Sequence, residues 1–465
     1  MNTADVTHEG QPKARPLNKE DYKTLALSSL GGTLEFYDFV ICALYVDKVI
    51  IGLFLPDDMN AFTQSLLGWG IVASAYIARP LGGIIMAHFG DTIGRKRMFT
   101  LSVAMMALPT FAIGLLPTYA TLGVMAPILL LCMRILQGAA IGGEMPGAWV
   151  FIAEHTPSQR YGLGIGILTS GITGGILLGF IALILIKVCF TDQQALDYAW
   201  RIPFIVGGLF GVISVYLRRY LKETPIFKEM AARKELSKQV PIVNVLKSHK
   251  FACVVVFLLT WTLSTTVMVG VLMTPTAILK ARYGFDELHA SIGGCIVALT
   301  LTIGCVVFGW LEDKLRTRMT MTIAWGGLAI SALTFFAALH TGLSVAGMMT
   351  LYGIMGLFCG AIALTPIVGT RAFPPSIRFS GLSFSYNVAY AIFSAITPQL
   401  TLYLLNPNHI LGSYSYMGAG FYIAAVSLLA IAVAYLPLAY RGWTTQVKLN
   451  LAASPVPAAQ NAVSS

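Results

Sequence analysis

Two carboxylates three residues apart, Glu35 and Asp38, stand inside the apolar stretch Leu30-Gly31-Gly32-Thr33-Leu34-Glu35-Phe36-Tyr37-Asp38-Phe39. That spacing places both on one face of a helix, where they share an environment. The run around them, about 24–52, is long enough to cross a bilayer. A charge at that depth costs ~2.5 kcal/mol or more, so such groups mark an ion or substrate path, or are neutralised by an arginine on a neighbouring helix. A second set, Arg134, Gln137 and Glu144, recurs at near-heptad spacing and lines one helix face. Gly138, Gly142 and Gly143 flank that face and admit a close neighbour. The fork of Arg134 suits a ligand carboxylate, or Glu35 and Asp38 themselves. Deep in the spans, Glu35, Asp38 and Glu144 face Arg79 and Arg134, so one protonated carboxyl balances the set. Desolvation favours that proton and a nearby arginine opposes it, which lets a proton trade with a ligand for Arg134. Arg79 reads as closer to the inner side and structural.

The elements that hold these residues are membrane helices. Of 465 residues, 56% are hydrophobic and 11% charged, and mean hydropathy is +0.73. A soluble domain carries about a quarter charged residues. Twelve apolar runs of spanning length follow one another: 24–52, 62–89, 98–116, 122–153, 162–187 and 200–221, then 251–279, 288–310, 319–339, 343–370, 379–405 and 415–440. They are too long for barrel strands, so the expected fold is an all-α membrane protein, with twelve transmembrane helices in two six-helix bundles. The division is an N-terminal tail at 1–23, bundles at 24–221 and 251–440, a basic linker at 222–250, and a disordered tail at 441–465. No removable signal peptide is expected, since the first two dozen residues lack a short apolar core. Lysines and arginines crowd the loops on one side, which places both termini in the cytoplasm. The net charge of +10 is therefore a topology signal, and nucleic-acid binding drops out. Seven scattered cysteines form no CxxC or Cys/His cluster and read as buried free thiols.

The two halves echo each other. Gly90-Asp91-Thr92-Ile93-Gly94-Arg95-Lys96-Arg97 follows span two, and Glu312-Asp313-Lys314-Leu315-Arg316-Thr317-Arg318 follows span eight. Pro157-Ser158-Gln159-Arg160 follows span four, and Pro375-Ser376-Ile377-Arg378 follows span ten. Such a duplication places a substrate site between the halves near mid-membrane. Adding Ala78-Arg79-Pro80-Leu81-Gly82-Gly83, Arg134-Ile135-Leu136-Gln137-Gly138, Trp200-Arg201-Ile202-Pro203-Phe204 and Gly381-Leu382-Ser383-Phe384-Ser385-Tyr386-Asn387, the chain resembles the major facilitator superfamily. Within it, it is similar to the bacterial metabolite:proton symporters, which import proline/betaine, 2-oxoglutarate, citrate, shikimate and other small organic acids. The resemblance implies a gate at the cytoplasmic mouth built from Asp91, Gly94, Arg95 and Lys96, with Arg160 and Arg378 in the equivalent loops. It also exposes departures: Thr92 for a basic residue, Met86 for glycine, Arg371 for an acidic residue, and Thr317 where a Gly-Arg pair would end. These put the form of the latch in question.

The expected function is proton-coupled import of a small organic acid across the bacterial inner membrane by alternating access. Glu35 and Asp38 would carry the proton, and Arg134, Gln137, Glu144, Tyr37 and Asn387 would contact substrate. Spans seven to twelve carry no charged residue in their interiors; Thr262, Ser264, Thr265, Thr266, Ser383, Ser385, Tyr386, Asn387 and Tyr390 offer neutral hydrogen bonds or helix packing. Partners are the substrate, protons and lipid, with the chain acting as a monomer. No nucleotide loop, HExxH or nucleophile elbow occurs, so neither an enzyme nor a cofactor or metal is expected. Rival readings are a betaine or proline symporter with a cage from Phe36, Tyr37 and Trp261, an uncoupled uniporter or exporter, and a non-transporting receptor.

Overall fold

The computed structural model describes residues 16–436 except 57, 93, 94, 219, 221–240, 281, 282 and 409. The expected linker at 222–250 and the tail at 441–465 lie largely or wholly outside the described residues. The described chain is helical throughout, with no strand. Twelve long helices run in order: α1 Lys19–Leu44, α2 Ala61–Thr92, α3 Arg95–Leu115, α4 Met125–His155, α5 Tyr161–Cys189 and α6 Arg201–Arg218. The second six are α7 Lys250–Lys280, α8 Glu287–Lys314, α9 Thr317–Ala338, α10 Val345–Ala372, α11 Arg378–Leu405 and α12 Gly418–Tyr435. Helix is the form that satisfies every backbone group internally in lipid.

Helix ends follow local chemistry. α1 starts at Lys19 rather than 24 because Asn18 and Asp21 form a capping box, each side chain bonded to the other's amide at 2.8 Å. The Trp200-Arg201 pair closes the far end of α3: Arg201 stacks over the Trp200 ring and donates to the carbonyls of Gly114 and Leu116 at 3.1 and 2.6 Å. Those carbonyls have no intrahelical partner, which gives this arginine a structural task. The second part of α7 is wound more widely, with Thr274 Oγ1 reaching back five residues to the Val269 carbonyl at 2.6 Å.

Packing repeats the sequence echo. In the first half α1 packs on α5 and α6, α2 on α4, and α3 on α4 and α6; in the second, α7 on α11 and α12, α8 on α10, and α9 on α10 and α12. Each contact reappears six helices later, the pattern of two related bundles. The halves meet along two antiparallel seams, α2 on α11 and α5 on α8. Glycine makes close crossings possible both within a half and across the seam: a Cβ on Gly138 of α4 would lie 2.0 Å from the Ala75 carbonyl oxygen of α2, and one on Gly162 of α5 2.4 Å from that of Gly309 of α8.

All seven cysteines are free, but only Cys42, Cys305 and Cys359 are buried; Cys132 and Cys189 are exposed. The expectation of uniformly buried thiols is corrected here, because a small apolar side chain is equally at home on a face turned to lipid.

Candidate functional site

The face of α4 that carries Arg134, Gln137 and Glu144 is turned into the first half, toward α3. Arg134 Nη1 donates to Gln137 Oε1 at 2.8 Å, Gln137 Nε2 donates to Thr110 Oγ1 at 2.6 Å, and Thr110 donates to the Met106 carbonyl at 3.0 Å. Two turns further on, Ser102 of α3 donates to the Glu144 carboxylate. Arg134 and Gln137 are fully buried and Glu144 is 5% exposed. Beside Glu144 lies a cavity of about 10 Å³, walled by Gly32, Phe36, Met106, Ile141 and Ile172. That volume holds roughly one water. The α1 backbone passes this cavity, but the side chains of Glu35 and Asp38 lie outside the described residues.

A second cluster occupies the α2–α11 seam. Arg79 of α2, fully buried, sets its guanidinium over the Tyr390 ring at 4.2 Å and the Tyr386 ring at 5.6 Å. Its Nη2 contacts the Met145 sulfur of α4 at 3.4 Å. One turn before it, Tyr76 stacks on Tyr390 at 6.0 Å. Trp149 meets Tyr386 edge-on at 5.0 Å. Next to this cluster, Asn387 Nδ2 lies 2.6 Å from the Gly142 carbonyl of α4 and 2.9 Å from that of Ser383, while its Oδ1 has no hydrogen-bond partner among the described residues. Gly83 admits this clasp, since a Cβ there would lie 2.4 Å from Asn387 Nδ2.

The third cluster lies at the end of the bundle that bears the basic loops. Arg378 of α11 reaches Glu154 of α4 at 3.4 Å, both fully buried or nearly so. The Asp313 carboxylate receives the first amides of α5, Gly162 at 2.7 Å and Leu163 at 2.9 Å, where unbonded amides and the helix dipole favour an anion. Tyr161 and Thr370 hydroxyls meet at 2.6 Å. Arg371 pairs with Glu312 and lies 4.5 Å over the Tyr161 ring, while Thr317 donates to Glu312 at 2.8 Å. The departures at Arg371 and Thr317 thus fit together: both serve the same carboxylate. Met86 likewise fills the space left by Gly143, whose Cβ would meet Met86 Cβ at 2.3 Å.

Not every expected residue lands at a meeting point. Tyr37, expected among the substrate contacts, is directed at α6, its hydroxyl on the Pro203 carbonyl at 3.0 Å and its ring edge-on to Phe210; the one strong donor it carries is used inside the first half. Trp261 stacks on Phe393 at 4.6 Å and donates to Tyr422, so the aromatic trio expected for a cage is divided among different neighbours. Tyr422 also serves Thr265 and Thr397 at 3.2 and 3.0 Å, which makes it a hub inside the second half. Thr262 and Thr266 bond to carbonyls of their own helix. Arg160 precedes α5, and Lys96 opens α3 half-buried. The side chains of Asp91 and Arg95, the whole of Gly94, and the side chain of Thr92 lie outside the described residues. No group of three or more metal-ligating side chains occurs among the described residues. Arg79, which reads from sequence as structural and nearer the inner side, stands on the α2–α11 seam beside rings of α11. Its signal was available in the pairs Tyr76/Arg79 and Tyr386/Tyr390, spaced to share a helix face.

Residues 38–398 match the model for the Major Facilitator Superfamily. The inner membrane metabolite transport protein YhjE of Escherichia coli (strain K12) is 31% identical over 449 residues, covering 93% of this chain and 97% of that protein. The proline/betaine transporter of the same strain is 28% identical over 423 residues, 88% of this chain and 82% of its own. Among solved structures, the proton:xylose symporter XylE bound to 6-bromo-6-deoxy-D-glucose superposes with a TM-score of 0.71 at 17% identity, covering 89% of this chain and 94% of XylE.

Proposed function

The chain belongs to the major facilitator superfamily, a family of membrane transporters and not of enzymes, and from that premise we propose that it is a proton-coupled symporter importing a small organic acid across the bacterial inner membrane. The observation that carries this reading is the buried, hydrogen-bonded guanidinium of Arg134, turned into the first half of a chain whose second-half span interiors are neutral. The planar fork of an arginine matches the geometry of a carboxylate. Glu35 and Asp38 on α1 supply carboxyls that exchange a proton as substrate engages the arginine. The basic end is the cytoplasmic mouth, with both termini inside, and the Arg378–Glu154 and Asp313–α5 contacts keep it shut in this state. Outward and inward openings then alternate about a site between the halves.

The relatives named proline/betaine transporters favour a second reading, a zwitterionic solute whose carboxylate uses the same arginine. Uptake by proteoliposomes under an imposed inward proton gradient separates the two. The panel is citrate, 2-oxoglutarate, succinate, shikimate, benzoate, betaine and proline. Accumulation of an acid, abolished by an ionophore, supports the first reading; accumulation of betaine or proline alone supports the second. Equilibration indifferent to the gradient removes coupling altogether. Within the first reading, Glu35→Gln together with Asp38→Asn is expected to retain binding and lose pH-driven accumulation, and full accumulation in that variant would withdraw their coupling role.

A further inference from the structure

The outer end of the α5–α8 seam, opposite the basic loops, carries a chain of charges of alternating sign: Asp192, Lys187, Glu287 and Lys280. Resting on the alternating openings of the transporter reading, and on no choice of substrate, we propose that they form an ion latch that divides into one neutral pair per half when that end opens. Lys187 Nζ lies 2.7 Å from Asp192 Oδ1 of its own half and 3.7 Å from Glu287 Oε2 of the other, while Lys280 Nζ lies 3.8 Å from Glu287 Oε1. Of these three contacts the middle one joins the halves. Parting it leaves Lys187 with Asp192 and Lys280 with Glu287, so none of the four charges is stranded.

Helix ends hold the chain in place. Lys187 stands in the last turn of α5 and Glu287 is the first residue of α8, the ends whose dipoles favour a cation and an anion. The seam is antiparallel, so those two ends meet. Asp192 opens a short helix after α5, fixed by a capping box between Thr191 and Gln194, and Lys280 is the last residue of α7. All four side chains reach solvent, at 40% and 79% for Lys187 and Asp192 and 46% and 35% for Lys280 and Glu287. An exposed pair shifts an equilibrium by about fivefold at most, and salt screens it. At the basic end the halves are joined instead by the buried Arg378–Glu154 pair. The outer end is thus the lightly held one. Asp192 competes with Glu287 for one ammonium group, and that competition sets how readily the end parts.

The test uses the full-length protein in proteoliposomes, spin-labelled at Asp58→Cys and Ile410→Cys, exposed positions in outer loops of the first and second half. Cys132, Cys189, Cys253 and Cys295 are replaced by alanine, since none of them is buried. Pulsed electron-spin distance distributions then give the ratio of open to closed outer ends. Glu287→Gln is expected to raise that ratio about threefold, and Asp192→Asn, which removes the competitor for Lys187, to lower it about twofold. In a Lys187→Gln background Asp192→Asn should leave the ratio unchanged, which separates the latch from any other contact of Asp192. Raising KCl to about 1 M, where the Debye length is ~3 Å, should move the wild type toward open and bring the variants together. Two populations whose ratio ignores salt, or shifts of the same sign in Glu287→Gln and Asp192→Asn, overturn the latch while alternating access stands. A single population in wild type and variants, with and without a proton gradient, overturns alternating access and the latch with it.

Discussion

The two halves share one skeleton and differ in chemistry. Contacts inside the first bundle recur six helices later in the second, yet the first holds Arg79, Arg134, Glu144 and Glu154 buried within its helices, whereas the second satisfies its span interiors with hydroxyls gathered on Tyr422 and with Asn387. The second half's buried ions, Glu312 and Arg378, sit only at the basic end. A duplicated fold can thus bury ions inside one half and line the span interiors of the other with neutral polar groups. The latch is lopsided in the same way. Arg378 pairs with Glu154, but the repeat-related positions are Arg160 and Ala372, which cannot form an ion pair. Arg371 pairs within its own half with Glu312 and lies over the Tyr161 ring of the first half.

The comparison can be broken at its strongest point first. Arg134→Gln, in protein that remains folded, is expected to lower acid uptake by ~100-fold, about 3 kcal/mol, because a buried charge-assisted contact is lost. A variant with near wild-type uptake would mean that the first half does not hold the ionic site. Next, Glu154→Gln takes the carboxylate from a buried arginine and should destabilise the shut basic end by ~3 kcal/mol, read as increased cysteine labelling at that mouth. Glu312→Gln, whose partner Arg371 is 29% exposed, should have a clearly smaller effect on the same labelling.

Weaker still, Asn387→Ala removes the amide that joins α11 to the Gly142 carbonyl and should lower stability by about 1–2 kcal/mol, measured by thermal unfolding in detergent. The smallest change is Tyr422→Phe, expected at ~1 kcal/mol with KM unaltered. An altered KM there would show that the second half's hydroxyls reach substrate, and the division between halves would need redrawing.

The spans were legible because lipid tolerates few structures: an apolar run of twenty residues has one way to satisfy its backbone. Helix ends shifted where capping chemistry intervened, as Asn18 did for α1. The direction of a face was harder to read. Arg134, Gln137 and Glu144 do share a face, but spacing alone cannot say that it looks toward Thr110 and Ser102 of α3. Likewise Tyr37 gave no sign that its hydroxyl would meet Pro203, 166 positions away. The surroundings of Arg79 were hidden for a related reason: spacing does not show that the rings of α11 are brought to it. Departures from the family pattern at Thr317 and Arg371 became intelligible only once both were found on Glu312.

The α5–α8 seam has a mechanical consequence. At its basic end Gly162 and Gly309 bring backbone against backbone, and Asp313 seats on the first amides of α5; at its other end Lys187 lies 3.7 Å from Glu287. Helices in direct backbone contact have no side-chain slack, so an axial slip of one residue, about 1.5 Å, would drive a neighbouring Cβ into a carbonyl. Sliding is therefore forbidden while rolling is not. The seam acts as a keyed bearing, which fixes the height of the halves relative to each other and leaves rotation as their low-cost freedom.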